Sequence, residues 1–197
     1  MLATNVFGCV IKYYKTVSST NNAAKLLAQQ DAREGTIVVS EEQGNGKGRL
    51  SRCWFSPAQK GIWCSLILRP PFLPQEAPKC TLMAAVSICK AIRSLTGVQV
   101  GIKWPNDILY NGKKLVGILT EMNAEMDRIN YVIIGMGINV NVTVKDIPVE
   151  IRNTATSLLQ IIDKKVSRVR LLCAILAELE NEYEIIKAAG FAPILEQ

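Results

Sequence analysis

The stretch Gln43-Gly44-Asn45-Gly46-Lys47-Gly48-Arg49-Leu50-Ser51-Arg52-Cys53-Trp54 holds the densest chemistry in the chain. Gly44, Gly46 and Gly48 alternate with polar residues, and glycine lets backbone N–H groups turn toward an anion at close range. Lys47, Arg49 and Arg52 add charge, and a guanidinium offers a two-pronged fork to carboxylate or phosphate. Trp54 can cover an apolar ring. Two phosphate motifs do not fit. A P-loop needs Ser or Thr after Gly-Lys, where Gly48 stands. A dinucleotide fingerprint needs a third glycine where Arg49 stands, and Gly135-Met136-Gly137 fails the same test at Val140. On composition alone, a flexible surface turn or a basic nucleic-acid loop stays open.

Three further clusters carry candidates. Lys103-Trp104-Pro105-Asn106-Asp107 is followed by Lys113-Lys114. Pro105 stiffens the segment, so Lys103, Asn106 and Asp107 project in fixed directions. An aspartate beside a lysine amine serves as a base or an orienting group, although a surface ion pair at a turn explains the same residues. Gly135-Met136-Gly137-Ile138-Asn139 puts glycines inside a strand pattern, the mark of a bulge or of close backbone approach to a ligand. Asn139 could bond a base edge. Ser18-Ser19-Thr20-Asn21 opens a helix pattern, where Ser19 or Thr20 can cap. A helix N-terminus can also hold a carboxylate.

Composition narrows the chemistry. The 197-residue chain contains no histidine, which removes the usual zinc sites, histidine triads and histidine acid–base catalysis. The six cysteines form no Cys-x-x-Cys pair and fit reduced thiols. A net charge of +6 favours anionic partners: ATP, an acidic carrier protein or nucleic acid. No apolar run reaches the roughly 18 residues of a membrane span. Met1 to Tyr13 carries no secretory signature, so a cytoplasmic enzyme of one domain, 1–197, is expected.

The elements that must position these residues read as follows. Thr20–Ala32 is a helix, Thr36–Ser40 a buried strand and Ile62–Leu68 the next strand. Thr81–Leu95 has apolar residues at helical spacing and ends well at Gly97. Val98–Lys103 is a strand. Ile108–Tyr110 and Leu115–Met122 flank Asn111-Gly112, a hairpin signal. Tyr131–Val142 is a strand and Val166–Ala188 a long amphipathic helix. Consecutive strands in the middle predict an α+β fold, a mixed β-sheet flanked by helices.

In this order the motifs resemble the biotin–protein ligase family, from about Tyr14 to the last residue. The family's Ser-Thr-Asn is Ser19-Thr20-Asn21 here. Its Gly-Arg-Gly-Arg-x-Gly-Arg-x-Trp loop is Gly46 to Trp54. Lys-Trp-Pro-Asn-Asp is Lys103 to Asp107, Lys-Leu-x-Gly-Ile-Leu is Lys114 to Leu119, and Gly-x-Gly-Ile-Asn is Gly135 to Asn139. The resemblance implies a class II aminoacyl-tRNA synthetase-like sheet and a two-step reaction. Biotin and ATP give biotinyl-5'-AMP and pyrophosphate, with Mg2+ on the ATP phosphates. The lysine of a biotin carboxyl carrier protein then takes the acyl group.

By the same resemblance, Ser19, Thr20, Asn21, Gln43, Gly46, Lys47, Gly48, Arg49, Lys114, Gly117 and Gly135 line the biotin site. Arg49, Arg52, Trp54, Lys103, Asn106 and Asn139 face ATP or the adenylate. Lys114, Arg49 and Asp107 are the implied catalytic groups, with Asp107 receiving the incoming lysine. Lys47 stands where arginine is usual, and Ser51 replaces a glycine. Neither the family's winged-helix domain nor its C-terminal β-barrel is matched, and without the winged helix no DNA binding is expected; the lack of a long apolar run argues against a membrane partner, and a homodimer is expected from the side-by-side sheet dimers among family members. The competing readings are a lipoate–protein ligase or acyltransferase of the same fold, a basic nucleic-acid-binding module using Lys47, Arg49, Arg52 and the 164–170 region, and an inactive biotin binder.

Overall fold

The computed structural model describes residues 2–195. Seven strands form one sheet: β1 (Ile11–Val17), β2 (Ile37–Gln43), β3 (Ile62–Leu68), β4 (Gly101–Lys103), β5 (Asp107–Tyr110), β6 (Lys113–Ala124) and β7 (Ile129–Ile138). Their spatial order is β1-β2-β3-β7-β6-β5-β4. Only β1 and β2 run parallel; every other neighbouring pair is antiparallel. The helices are α1 (Thr20–Gln29), α2 (Lys79–Thr96), α3 (Leu158–Ile162), α4 (Arg168–Ala189) and α5 (Ala192–Leu195). The sheet is mixed and flanked by helices, as the element order predicts.

Strand periodicity divides the core in two. One set of alternate residues, including Leu66, Leu68, Val132 and Ile134, packs against α2 and α4 in the main core. The opposite set, Val38, Ile67, Tyr131 and Ile133, packs against Ala24 and Ala28 of α1. Burial on both faces explains why β3 is continuously apolar apart from Ser65. Continuing along the α1 face, Ser65 stands opposite Gly135, and Gly135 opposite Leu119. The next step pairs Trp63 with Gly137 and Gly137 with Gly117. The sheet therefore lacks side chains at three clustered points just past the start of α1.

Both ends of α1 are closed by neighbouring strands. Ser19 occupies the N-cap position but its side chain makes no capping bond. The Gln43 Oε1 accepts instead from Thr20 N at 2.8 Å and Thr20 Oγ1 at 3.1 Å. At the other end Arg69 donates to the carbonyls of Ala28 at 2.9 Å and Ala32 at 3.0 Å, and to Asn130 O at 2.8 Å. The orphan carbonyls of a helix C-terminus thus receive a guanidinium.

Several boundaries differ from the sequence reading. β1 was not foreseen; it is an edge strand with mostly exposed residues and no clean alternation. The strand read from Tyr131 ends at Ile138, four residues early, because Asn139 to Val142 turns away to bond the start of α3: Leu158 N donates to Asn139 O at 3.1 Å and Leu159 N to Val140 O at 2.8 Å. The turn at Asn111-Gly112 has positive φ at both residues, 47° and 77°, as a primed hairpin requires. All six cysteines are unpaired. Among the described residues, no helix is long and apolar enough to cross a membrane.

Candidate functional site

The glycine–cation segment folds as a hairpin over the bare patch of sheet. Its base is tied to the end of β1, with Gly44 N donating to Val17 O at 2.9 Å and Asn45 N to Ser18 O at 2.8 Å. Its arms pair through a Lys47–Cys53 bridge, with Gly48 N to Arg52 O at 2.7 Å and Trp54 N to Gly46 O at 2.8 Å. The tip, Arg49–Ser51, is a single tight turn in which Leu50 and Ser51 both have left-handed backbone, φ 55° and 59°. Serine in that conformation costs roughly 1–2 kcal/mol against glycine. The hairpin brings its cations to the α1 face: Lys47 Nζ donates to Asn22 Oδ1 at 2.7 Å and Arg49 Nη1 to Asn106 Oδ1 at 2.9 Å.

Beneath it lies a small cavity of about 40 Å³ lined by Ser19, Thr20, Asn21, Gln43, Trp54, Lys114 and the three sheet glycines. Its polar wall is a set of closely spaced hydrogen-bonding groups. Gln43 Nε2 donates to Ser56 Oγ at 2.7 Å, and Ser56 Oγ to Trp54 O at 3.1 Å. The buried Ser65 hydroxyl lies between Thr20 Oγ1 (2.8 Å) and Asn21 Oδ1 (2.6 Å). The glycines are required by contact. A Cβ on Gly135 would stand 2.0 Å from Asn21 Oδ1; on Gly137, 2.3 Å from Trp54 Nε1; on Gly117, 2.7 Å from Trp54 Cζ3. Gly135→Ala should therefore push Asn21 out of place while keeping the fold. We expect at least a tenfold loss of affinity for the small-acid ligand, on the order of one lost polar contact, read by calorimetric titration. An unchanged affinity would show that Asn21 does not contact the ligand.

A second cavity of about 470 Å³ opens on the other side of Trp54, lined by Arg49, Arg52, Lys103, Asn106, Asp107, Lys114, Asn139 and the 147–155 segment. Gly48, Arg49, Trp54, Asn106 and Lys114 line both cavities. Lys114 Nζ is 2.8 Å from Asp107 Oδ1 and 5.2 Å from the centroid of the Trp54 ring. Lys103 pairs in register with Asp107 at the edge of the sheet. Asn106 is fixed by Nδ2 to Ile118 O at 3.2 Å. Asn139 is largely committed to the fold, donating to Thr156 O at 3.0 Å.

The sequence-derived candidates thus converge on one face. Trp54, read from the sequence as a nucleotide-side residue, also roofs the smaller cavity over Gly117 and Gly137. Ser65, Ser56 and Glu121 belong to the same network and were not singled out. Each is an ordinary polar residue in sequence; only the strand register brings them to the site.

The model of the Biotin/lipoate A/B protein ligase family matches residues 13–139. The "Bifunctional ligase/repressor BirA" of Bacillus subtilis is 48% identical over 193 residues, covering 98% of this chain and 59% of its own length. The "Biotin--[acetyl-CoA-carboxylase] ligase" of Mycobacterium tuberculosis is 33% identical over 151 residues, covering 75% of this chain and 53% of that protein. The chain therefore spans little more than half the length of these relatives. Among solved structures, biotin protein ligase from Aquifex aeolicus in complex with biotin and ATP superposes with a TM-score of 0.81 at 30% identity, covering 94% of this chain and 75% of that one.

Proposed function

Because the chain belongs to the Biotin/lipoate A/B protein ligase family, we propose that it is an ATP-dependent biotin–protein ligase that forms biotinyl-5'-AMP and passes biotin to a carrier lysine. The observation that carries this reading is the pair of cavities sharing Arg49 and Lys114. An acid held by its polar head against Thr20, Asn21 and Gln43 would direct its carboxylate toward Lys114. A nucleotide in the larger cavity would bring its α-phosphate to the same cations. One carboxylate oxygen attacks the α-phosphorus and pyrophosphate leaves. Two anions must meet in this step, and preplaced cations offset their repulsion.

The head group decides between biotin and lipoate. The Ser56–Gln43–Thr20–Ser65–Asn21 array suits a cyclic urea, which has both N–H donors and a carbonyl acceptor. A dithiolane has no donor and would gain no hydrogen bond from the acceptors of this wall, a basis for rejection. The smaller cavity lies well below the roughly 300–1,000 Å³ of usual ligand pockets. Lys47, Gly48, Arg49, Asn106, Ile118 and Leu119 also line an adjoining cavity of about 1040 Å³, which adds room for the acid.

Mg2+ fits as a companion of the ATP phosphates. Among the described residues no three Cys, Asp or Glu side chains converge to hold an ion, and the nearby Asp107 is paired with Lys114. The ion would add positive charge at the phosphates.

In the second step the carrier lysine nitrogen attacks the acyl carbon and AMP leaves. A free lysine has a pKa near 10.4, so roughly one in a thousand or fewer is neutral at pH 7. Asp107 becomes available to receive its proton as Lys114 turns to the acyl phosphate. A biotin carboxyl carrier protein is the partner, a cytoplasm with reduced thiols the compartment, and a homodimer through sheet edges the assembly.

The test is ATP–pyrophosphate exchange. We expect exchange that requires both ATP and biotin. Exchange supported by lipoate or octanoate, and not by biotin, would overturn the reading.

A further inference from the structure

Beside the polar wall, and outside the small cavity, lies a carboxylate that none of the proposed steps uses. Glu121 stands on β6 opposite Ile133, one alternate position beyond the Leu119–Gly135 pair. Its Oε2 accepts from Asn21 Nδ2 at 2.8 Å, and its Oε1 accepts from Lys25 Nζ at 3.1 Å. Its side chain is 25% exposed. Burial opposes its charge, but the bonds from Asn21 and Lys25 and the charges of Lys25 and Lys47 hold it below the usual glutamate range. It is ionised at neutral pH and therefore accepts only.

That one-sidedness has a consequence for Asn21. A carboxamide can rotate by half a turn, exchanging its donor and acceptor ends at little steric cost. Glu121 and the Leu119 carbonyl, 3.3 Å from Nδ2, both demand the donor end. Oδ1 is thereby forced to the opposite side, over Gly135 and within 2.6 Å of the Ser65 hydroxyl. Thr20 gives its proton to Gln43 Oε1 and also keeps lone pairs available. The wall then offers the cavity acceptors at Thr20 and Asn21. A ligand bearing N–H donors matches this pattern, and a flipped Asn21 would set donor against donor.

We propose that Glu121, clamped by Lys25, is a positioning residue that fixes the polarity of Asn21 and so selects the N–H-bearing ring of the acid. This inference rests on the biotin reading and adds to it the residue that orients the head-group pocket. Glu121 lies outside the residues that line the small cavity and acts through Asn21.

The test pairs binding with exchange kinetics in the full chain. With Glu121→Ala we expect the biotin Kd and KM to rise roughly 10- to 100-fold, the size of one hydrogen bond to a charged group. The KM for ATP and kcat at saturating biotin should stay within about threefold, which a general loss of structure would not allow. The decisive arm reverses the pair. Asn21→Asp alone faces a carboxylate with a carboxylate and should weaken biotin further. Adding Glu121→Gln to Asn21→Asp restores one donor and one acceptor, still leaving an oxygen toward Ser65, and should recover about tenfold or more of that loss. A biotin Kd within twofold of the parent for Glu121→Ala, or a double variant no better than Asn21→Asp, would overturn the proposal. A parent protein that binds no biotin would instead overturn the biotin reading, and this inference with it.

Discussion

Replacing Arg49 with glycine should make the acyl-adenylate escape roughly 100-fold faster. Arg49 is an exposed residue at the hairpin tip, yet its guanidinium crosses to Asn106 at 2.9 Å and borders both cavities. A phosphate arriving there would gain charge-assisted bonds from a fork already held in place. Losing one such bond justifies the magnitude, since it contributes on the order of 1.5–3 kcal/mol and 100-fold corresponds to about 2.7 kcal/mol. The rate of acid activation should fall much less, because Lys114 and the second cavity remain. The measurement is release of preformed, radiolabelled biotinyl-adenylate from the protein by rapid filtration. Release at the parental rate would remove Arg49 from the role of retaining group.

Lys114→Ala should lower pyrophosphate exchange by about 100- to 1,000-fold, the usual loss when a preplaced charge donor leaves a reacting centre. Two effects add. The cation that receives the reacting carboxylate disappears, and Asp107, now without its partner at 2.8 Å, presents a negative charge to two anionic substrates. The fold should survive, because the position is held by its main chain: Lys114 N donates to Thr154 O at 2.7 Å and Lys114 O accepts from Thr156 N at 2.9 Å. Biotin affinity should change far less than exchange, since the head-group wall lies at the other end of the cavity. Exchange at the parental rate would refute the assignment.

Much of the architecture was legible because it follows from strong periodicity. α2, α4, the buried β3 and the Asn111-Gly112 hairpin each carry a pattern that admits one reading. β1 was invisible for the opposite reason: Ile11-Lys12-Tyr13-Tyr14-Lys15 alternates no face, and parallel pairing to β2 together with Tyr14 on the α1-side core secures it. The glycines of the site could be recognised as points of close approach, but not what approaches them. The structure supplies Asn21 and Trp54 as the answer. The cap of α1 shows the same limit. Ser19 is a plausible cap by type, yet the bond comes from Gln43, on the strand that follows the helix. Local chemistry was read correctly as a need for an acceptor; its source is a matter of tertiary contact.

The two ends of α1 bear on the order in which the molecule assembles. Ten residues are too few for a helix to persist alone in water, and α1 draws its N-terminal acceptor from β2 and its C-terminal donor from the residue after β3. Thr20 and Asn21 thus take up their places only after these two strands have docked. The pocket matures with the sheet instead of preceding it. Amides near the start of α1 should then exchange with solvent in step with β2 and β3, as one cooperative unit, and an intermediate in which β2 and β3 are unpaired would have no head-group wall to offer a ligand.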